Sequence, residues 1–273
     1  MNRFLRLRNF LIGGVILLFI IIGATLQDEY RKTARFRTMQ DPIPSTEKVD
    51  LKGLRELPIA GGPILSLREL KERLPHIKDK KLIIVDSIKY KSEYIQGIPT
   101  CYLGYKEWPS LKNLAWRLFY TRTLYAHPEL TKTEAQEAEK NGFGYANFEI
   151  GSKVDSSDQT VDAFIKFFDA LPKDAWVYFH CHHGKGRTSV MLVMADIMKN
   201  APHVALPDII KRQHLLGSVD LFDTTPWTRS TYAASTLKKR KKFIQNFYEF
   251  ICQRKADGLQ SWTEWRTQQQ GKK

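Results

Sequence analysis

Trp176-Val177-Tyr178-Phe179-His180-Cys181-His182-His183-Gly184-Lys185-Gly186-Arg187-Thr188-Ser189 opens as a strand, passes through a loop and ends as a helix. Trp176 to His180 is a short apolar, aromatic and β-branched run, the pattern of a buried strand. Beyond Arg187, the apolar residues Val190, Val193, Met194 and Ile197 recur at helical spacing. That helix is expected to stop near Asn200, before Pro202. A loop entering a helix N-terminus points unpaired N–H groups at one spot, which suits an anion. Gly184 and Gly186 let the backbone curl around that anion. Arg187 can add a two-pronged clamp on its oxygens.

A cysteine at the base of such a cradle ionises readily, and Cys181 stands there. Thiolate attack on phosphorus gives a phosphocysteine intermediate. The loop amides and Arg187 would stabilise the equatorial oxygens while charge shifts. Thr188, or Ser189, can donate a hydroxyl hydrogen bond to the sulfur. Cys181 and Arg187 are therefore read as catalytic. His182, His183, Gly184, Lys185, Gly186 and Thr188 are read as phosphate-binding. Lys185 adds charge where substrate reaches, which suits a crowded polyphosphate. His180, Cys181, His182 and His183 are also a dense set of metal-ligand types. Neighbours in a strand-to-loop run rarely converge on one ion, and the sequence has no second such cluster, so neither a metal nor a cofactor is expected. A sulfur-transfer domain also places a cysteine before a helix; the order Gly-Lys-Gly-Arg-Thr argues against it.

Upstream, Ser66 to Leu74 reads as a short helix and Lys81 to Asp86 as a buried strand. Gly97, Pro99 and the aromatics of Tyr102 to Trp108 suggest turns and a further strand. Leu111 to Tyr125 and Thr131 to Lys140 look helical, and Tyr145 to Ile150 like a strand. Val161, Phe164, Ile165, Phe168 and Leu171 share one helical face. Leu237, Ile244, Phe247 and Ile251 mark a long C-terminal helix. Strands alternating with helices predict an α/β fold, a central mixed sheet flanked by helices.

The 273 residues suit one domain with appendages. Arg3, Arg6 and Arg8 precede an uncharged apolar run from Phe10 to Leu26, near the short edge of the roughly 17–25 residues a membrane span needs. Residues 1–27 are read as a membrane anchor or signal peptide. Residues 28–50, with Pro42 and Pro44, are read as a polar tether, 51–267 as the folded domain and 268–273 as a polar tail. The reading implies a membrane-anchored or exported protein. Three scattered cysteines, Cys101, Cys181 and Cys252, exclude a disulfide framework. A net charge of +14 favours anionic partners, with no nucleic acid expected.

Leu171 through Thr188 resembles the protein-tyrosine-phosphatase-like phytases of bacteria. So do Arg212-Gln213-His214, Phe247-Tyr248, Ala256-Asp257-Gly258, Trp262 and Trp265. The resemblance implies a tyrosine-phosphatase fold over roughly residues 81–266 and metal-independent removal of phosphate from inositol rings. The expected partner is an inositol phosphate, or alternatively a phosphoprotein. Further alternatives are a protein tyrosine or dual-specificity phosphatase and a membrane-tethered phosphate-binding module. The family carries an arginine shortly after the strand aspartate; here Asp86 is followed by Ser87 and Ile88, with Lys89 and Lys91 nearby. It often carries a small barrel-like insertion, for which Trp108 to Phe148 is short. Its general acid falls near Ser152 by ungapped reading. Asp155 and Asp158 are the local acids. Asp158 has a role open to it as a helix N-cap, so Asp155 is read as the proton donor. Lys238 to Lys242 open the last helix against its dipole and are read as a contact for distal phosphates.

Overall fold

The computed structural model describes residues 2–33, 35–44, 46–77, 80–88, 93–95, 98–99, 131–150, 156–226, 233–258 and 261–271. The turn at Gly97, the strand expected near Tyr102–Trp108 and the helix expected over Leu111–Tyr125 lie outside them. So do Lys89, Lys91, Cys101 and Asp155.

The chain begins with α1 (Asn2–Thr33) and β1 (Arg37–Thr38). Next come β2 (Ile59–Pro63), α2 (Leu67–Arg73) and β3 (Lys81–Asp86). The short β4 (Glu93–Ile95), β5 (Ile98–Pro99) and β6 (Thr131–Thr133) precede α3 (Glu134–Lys140) and β7 (Gly144–Asn147). Then follow α4 (Asp158–Asp169), β8 (Ala175–Cys181), α5 (Gly186–Asn200) and α6 (Leu206–Leu215), and finally α7 (Ala234–Asp257) and α8 (Trp262–Gly271).

β8 lies at the centre of a five-stranded sheet of order β1-β2-β8-β3-β7. It pairs in parallel with β2 and β3, and β3 with β7, while β1 is antiparallel. Every residue of β8 is buried, as expected for a parallel strand covered on both faces. Alternation divides its side chains. Val177 and Phe179 join the large core with α4, α5, α7 and α8, while Trp176 and Tyr178 pack with α2 and α3. The mixed sheet flanked by helices is the expected fold.

The helix after the loop ends at Asn200, as the apolar spacing indicates. In α7, Leu237, Ile244, Phe247 and Ile251 are all buried. Burying each such side chain contributes about 1.5–3 kcal/mol. Ser66 caps α2 by accepting from the Glu69 amide at 3.2 Å. The stretch read as helix over Thr131–Lys140 divides instead. Thr133 ends β6 and caps α3 through a capping box with Gln136. Asp158 is not the cap of α4. Ser157 is, accepting from the Thr160 amide at 3.1 Å, and Asp158 is the first helical residue. The Arg212-Gln213 pair is structural: both side chains, with Asn200, donate to the buried Asp196.

Residues 35–41 do not form a tether. β1 joins the sheet edge, Arg37 is buried, and Met39 lies in the main core. Its polar composition concealed a strand that enters the fold through a buried arginine. From Phe10 to Ile20, the large apolar side chains of α1 are exposed. Among the described residues no helix is long and apolar enough to cross a membrane.

Candidate active site

β8 ends at Cys181, and the chain turns through His182–Lys185 into α5, which starts at Gly186. The carboxyl end of β2 holds the near side of the loop. The Ile64 amide donates to the Cys181 carbonyl at 3.0 Å, and Pro63 bridges to His183. The end of β3 holds the other side. The Ser87 amide donates to the His180 carbonyl at 3.1 Å. Arg187 Nη1 donates to the Ser87 carbonyl at 2.8 Å, which orients the guanidinium.

The Cys181 side chain is buried. Burial alone would push its thiol up. Arg187, the Thr188 hydroxyl and the Thr188 and His183 amides outweigh this and hold it below its ordinary value. Thr188 Oγ1 lies 3.2 Å from both the sulfur and the Gly62 carbonyl. Of the two hydroxyls left open by the sequence, Thr188 is therefore the one at the thiolate. Ser189 instead donates to the Lys185 carbonyl at 2.6 Å and accepts from the Val219 amide. The arrangement suits a nucleophilic thiolate beside a tetrahedral oxyanion. Lys185 is exposed at the lip. Burial first, and Arg35 next, lower its ammonium.

Two residues of the site escaped the sequence reading. Arg35 Nη1 donates to the His183 carbonyl at 3.0 Å, and Arg37 Nη1 to the Gly184 carbonyl at 3.0 Å. They hold two loop carbonyls from behind. Arg35 and Arg37 flank Phe36 beside a two-residue strand, too short a stretch for alternation to mark it in the sequence.

Behind β8, Asp86, Glu134 and His180 form a buried group, the one metal-ligand-type cluster among the described residues. His180 Nε2 lies 3.0 Å from Glu134 Oε1, and Tyr94 donates to the same oxygen at 2.8 Å. The Ile88 amide donates to Asp86 at 2.7 Å. The cluster reads as an ion pair with a second acid. Burial opposes charge on His180, but Glu134 and then Asp86 hold it up to about 9. Burial, offset in part by His180, pushes Asp86 up to about 6. Both groups bind protons more tightly folded than unfolded, so both contributions to stability fade as pH rises. That of Asp86 is lost as pH climbs from 3.8 through about 6, and that of His180 from 6.5 through about 9. The depressed thiol acts oppositely, so the test belongs in Cys181→Ser. There the melting temperature is expected to fall from pH 6.5 to 9, with a shallower fall after His180→Asn. Equal slopes in the two proteins would exclude His180 as the source.

Asp155 lies outside the described residues. Asp158 accepts from Trp262 Nε1 at 2.8 Å and faces Arg266 Nε at 3.8 Å, a structural engagement. Beside it is a pocket of about 250 Å³ lined by Ser156, Lys239, Lys242, Asn246 and Arg266 around Trp262. Two lysines of the basic run thus face one cavity, which Ser156 and Asp158 also line.

A family model of PTP-like phytases, described as inositol hexakisphosphate, matches residues 110–199. Two structures from Mitsuokella multacida are similar at 25% identity. The tandemly repeated protein tyrosine phosphatase-like phytase has a TM-score of 0.67. The PTP-like myo-inositol phosphatase in complex with myo-inositol-(1,3,4,5)-tetrakisphosphate has a TM-score of 0.64. Each match covers 85% of this chain and 46% of that one. A PTP-like phytase from Bdellovibrio bacteriovorus is also 25% identical, with a TM-score of 0.61, over 85% of this chain and 88% of that one. Among curated relatives, AvrBs1.1 of Xanthomonas campestris is 30% identical over 95 residues, 35% of this chain and 91% of its own length. Effector protein hopD2 of Pseudomonas syringae is 22% identical over 90% of this chain. This chain spans 59% of the length of hopD2.

Proposed function

Because the chain belongs to the protein-tyrosine-phosphatase-like phytase family of the cysteine-dependent phosphatases, we propose that it hydrolyses phosphomonoesters of inositol through a phosphocysteine intermediate. The observation that carries this reading is the place of the Cys181 sulfur, at the strand end facing a helix N-terminus, 3.2 Å from the Thr188 hydroxyl and ringed by Arg187 and two backbone amides.

In the first step the Cys181 thiolate attacks phosphorus, the P–O ester bond breaks, and the leaving oxygen takes a proton from an acid. In the second, water attacks phosphorus, the P–S bond breaks and the thiolate returns, while the acid regains a proton from the water. Arg187 and the loop amides bind the phosphoryl oxygens throughout. Asp155 is the proposed acid, since Asp158 is engaged by Trp262 and Arg266.

A polyphosphorylated ring suits the Lys185 lip and the pocket beside the basic run. Replacing Lys239 or Lys242 by alanine should each raise KM for an inositol polyphosphate by roughly two- to fivefold, the scale of one exposed charge pair. An unchanged KM in both variants would remove that pocket from the substrate site. The exposed apolar residues of α1 support association of this helix with a lipid surface, in a membrane-anchored or exported protein.

Phosphate release from inositol hexakisphosphate, an inositol lipid and a phosphotyrosine peptide, each with chelator present, tests the reading. Cys181-dependent release favouring the inositol compounds supports it. Release from the peptide alone would keep the mechanism and replace the substrate by a phosphoprotein. Binding without release would make the protein a phosphate-binding module.

A further inference from the structure

Arg37 is 2% exposed, at the edge strand behind the anion loop. Its guanidinium donates to the Arg35 carbonyl at 2.8 Å, the Gly184 carbonyl at 3.0 Å, and the Ser189 and Ser218 hydroxyls, each at 3.1 Å. All four acceptors are neutral. Asp41, the nearby carboxylate, is taken up by the Thr38 amide at 2.9 Å and the Thr38 hydroxyl at 2.7 Å. Among the described residues no carboxylate forms an ion pair with Arg37. A buried charge without an opposite partner costs several kcal/mol. A strut that only fixed the Gly184 carbonyl would not need a charge.

We propose that Arg37 is a positioning residue of the phosphoryl-transfer site, a second fixed positive charge balanced by the anion that the loop holds. The groups facing it define the field. Arg35 and Asp41 come from its own segment, Tyr178 and Cys181 from β8, Ser189 from α5, and Ser218 from the turn after α6. Burial pushes the guanidinium down to about 10, and Cys181 is the strongest influence raising it, ahead of Tyr178 and Asp41. The attraction is mutual. Arg187 acts on the thiolate from the substrate side and Arg37 from behind, through the Gly184 peptide. This inference rests on Cys181 being an activated nucleophile.

The test uses the full chain and follows alkylation at the Cys181 peptide against pH, with and without inorganic phosphate as protectant. Arg37→Met should raise the thiol midpoint by roughly one pH unit, the scale of one nearby charge. It should weaken phosphate protection about tenfold, the equivalent of that shift. Arg37→Lys keeps the charge without the fork and should hold the midpoint near that of the wild type. Ser218→Asp offers Arg37 a carboxylate partner and should raise the midpoint with the arginine still in place. It serves if Arg37→Met does not fold. A folded Arg37→Met or Ser218→Asp protein with the wild-type midpoint and protection would overturn the proposal, leaving Arg37 a neutral strut. A wild-type midpoint at the free-thiol value, about 8.5, would sink the activated-nucleophile reading and this inference with it.

Discussion

Cys181→Ser is expected to lower phosphate release by roughly four orders of magnitude or more, as for loss of the nucleophile in other covalent mechanisms. The loop stabilises an anion at one buried atom. Arg187, the Thr188 hydroxyl and two amides act together on the sulfur. A serine hydroxyl is far too weak an acid for that surrounding to ionise it. The same groups then face a neutral oxygen and remain free for phosphate. Inorganic phosphate should therefore bind the variant at least as tightly as the wild type, because repulsion by the thiolate is gone. Phosphate release, titration calorimetry and a melting curve together decide it. A folded Cys181→Ser protein that still releases phosphate at a comparable rate would show that the nucleophile lies elsewhere. Lost binding would instead mean that the sulfur itself shapes the loop.

The strand, loop and helix around Cys181 were legible because their signals are local. A buried strand, two glycines and a helical repeat lie within a few turns of one another, and the anion site follows from their order. The supports of that site were not legible. Arg35 and Arg37 reach carbonyls 148 and 147 residues away in sequence. Their own neighbourhood is short, polar and rich in proline, and a two-residue edge strand has too few positions to display a period. Glu134 opens a short helix, and nothing near it in sequence announces that it will meet His180 across the sheet. The cap of α4 was misplaced by one position because Ser157 and Asp158 are both good capping residues, and only geometry separates them. The polar segment before the domain was misread for a related reason. Composition reports solvent affinity on average, whereas Arg37 is buried by partners that only the folded sheet supplies.

Gly184→Ala is expected to cost both activity and stability, and a second glycine shows why. Gly184 has φ +66°, and Gly142 has φ +75°. In each an added Cβ brings the left-handed penalty of about 1–2 kcal/mol. At Gly142 the new atom meets nothing within 4 Å. At Gly184 it would lie 2.4 Å from the Gly62 carbonyl carbon and the Pro63 nitrogen, and 2.8 Å from the Gly62 oxygen. Those atoms are backbone and cannot rotate away. They belong to β2, which is held between β1 and β8. The loop must therefore move, and with it the Gly184 carbonyl held by Arg37 and the His183 amide at the sulfur. Displacing one donor of a preorganised anion site costs roughly 10²–10³ in rate. Gly184→Ala should lose at least that much phosphate release, with a raised Cys181 alkylation midpoint and a lower melting temperature. Gly142→Ala should lose only the modest stability of its backbone strain and keep its turnover. If the two variants lost similar activity, close packing of the loop on β2 would not be what shapes the site.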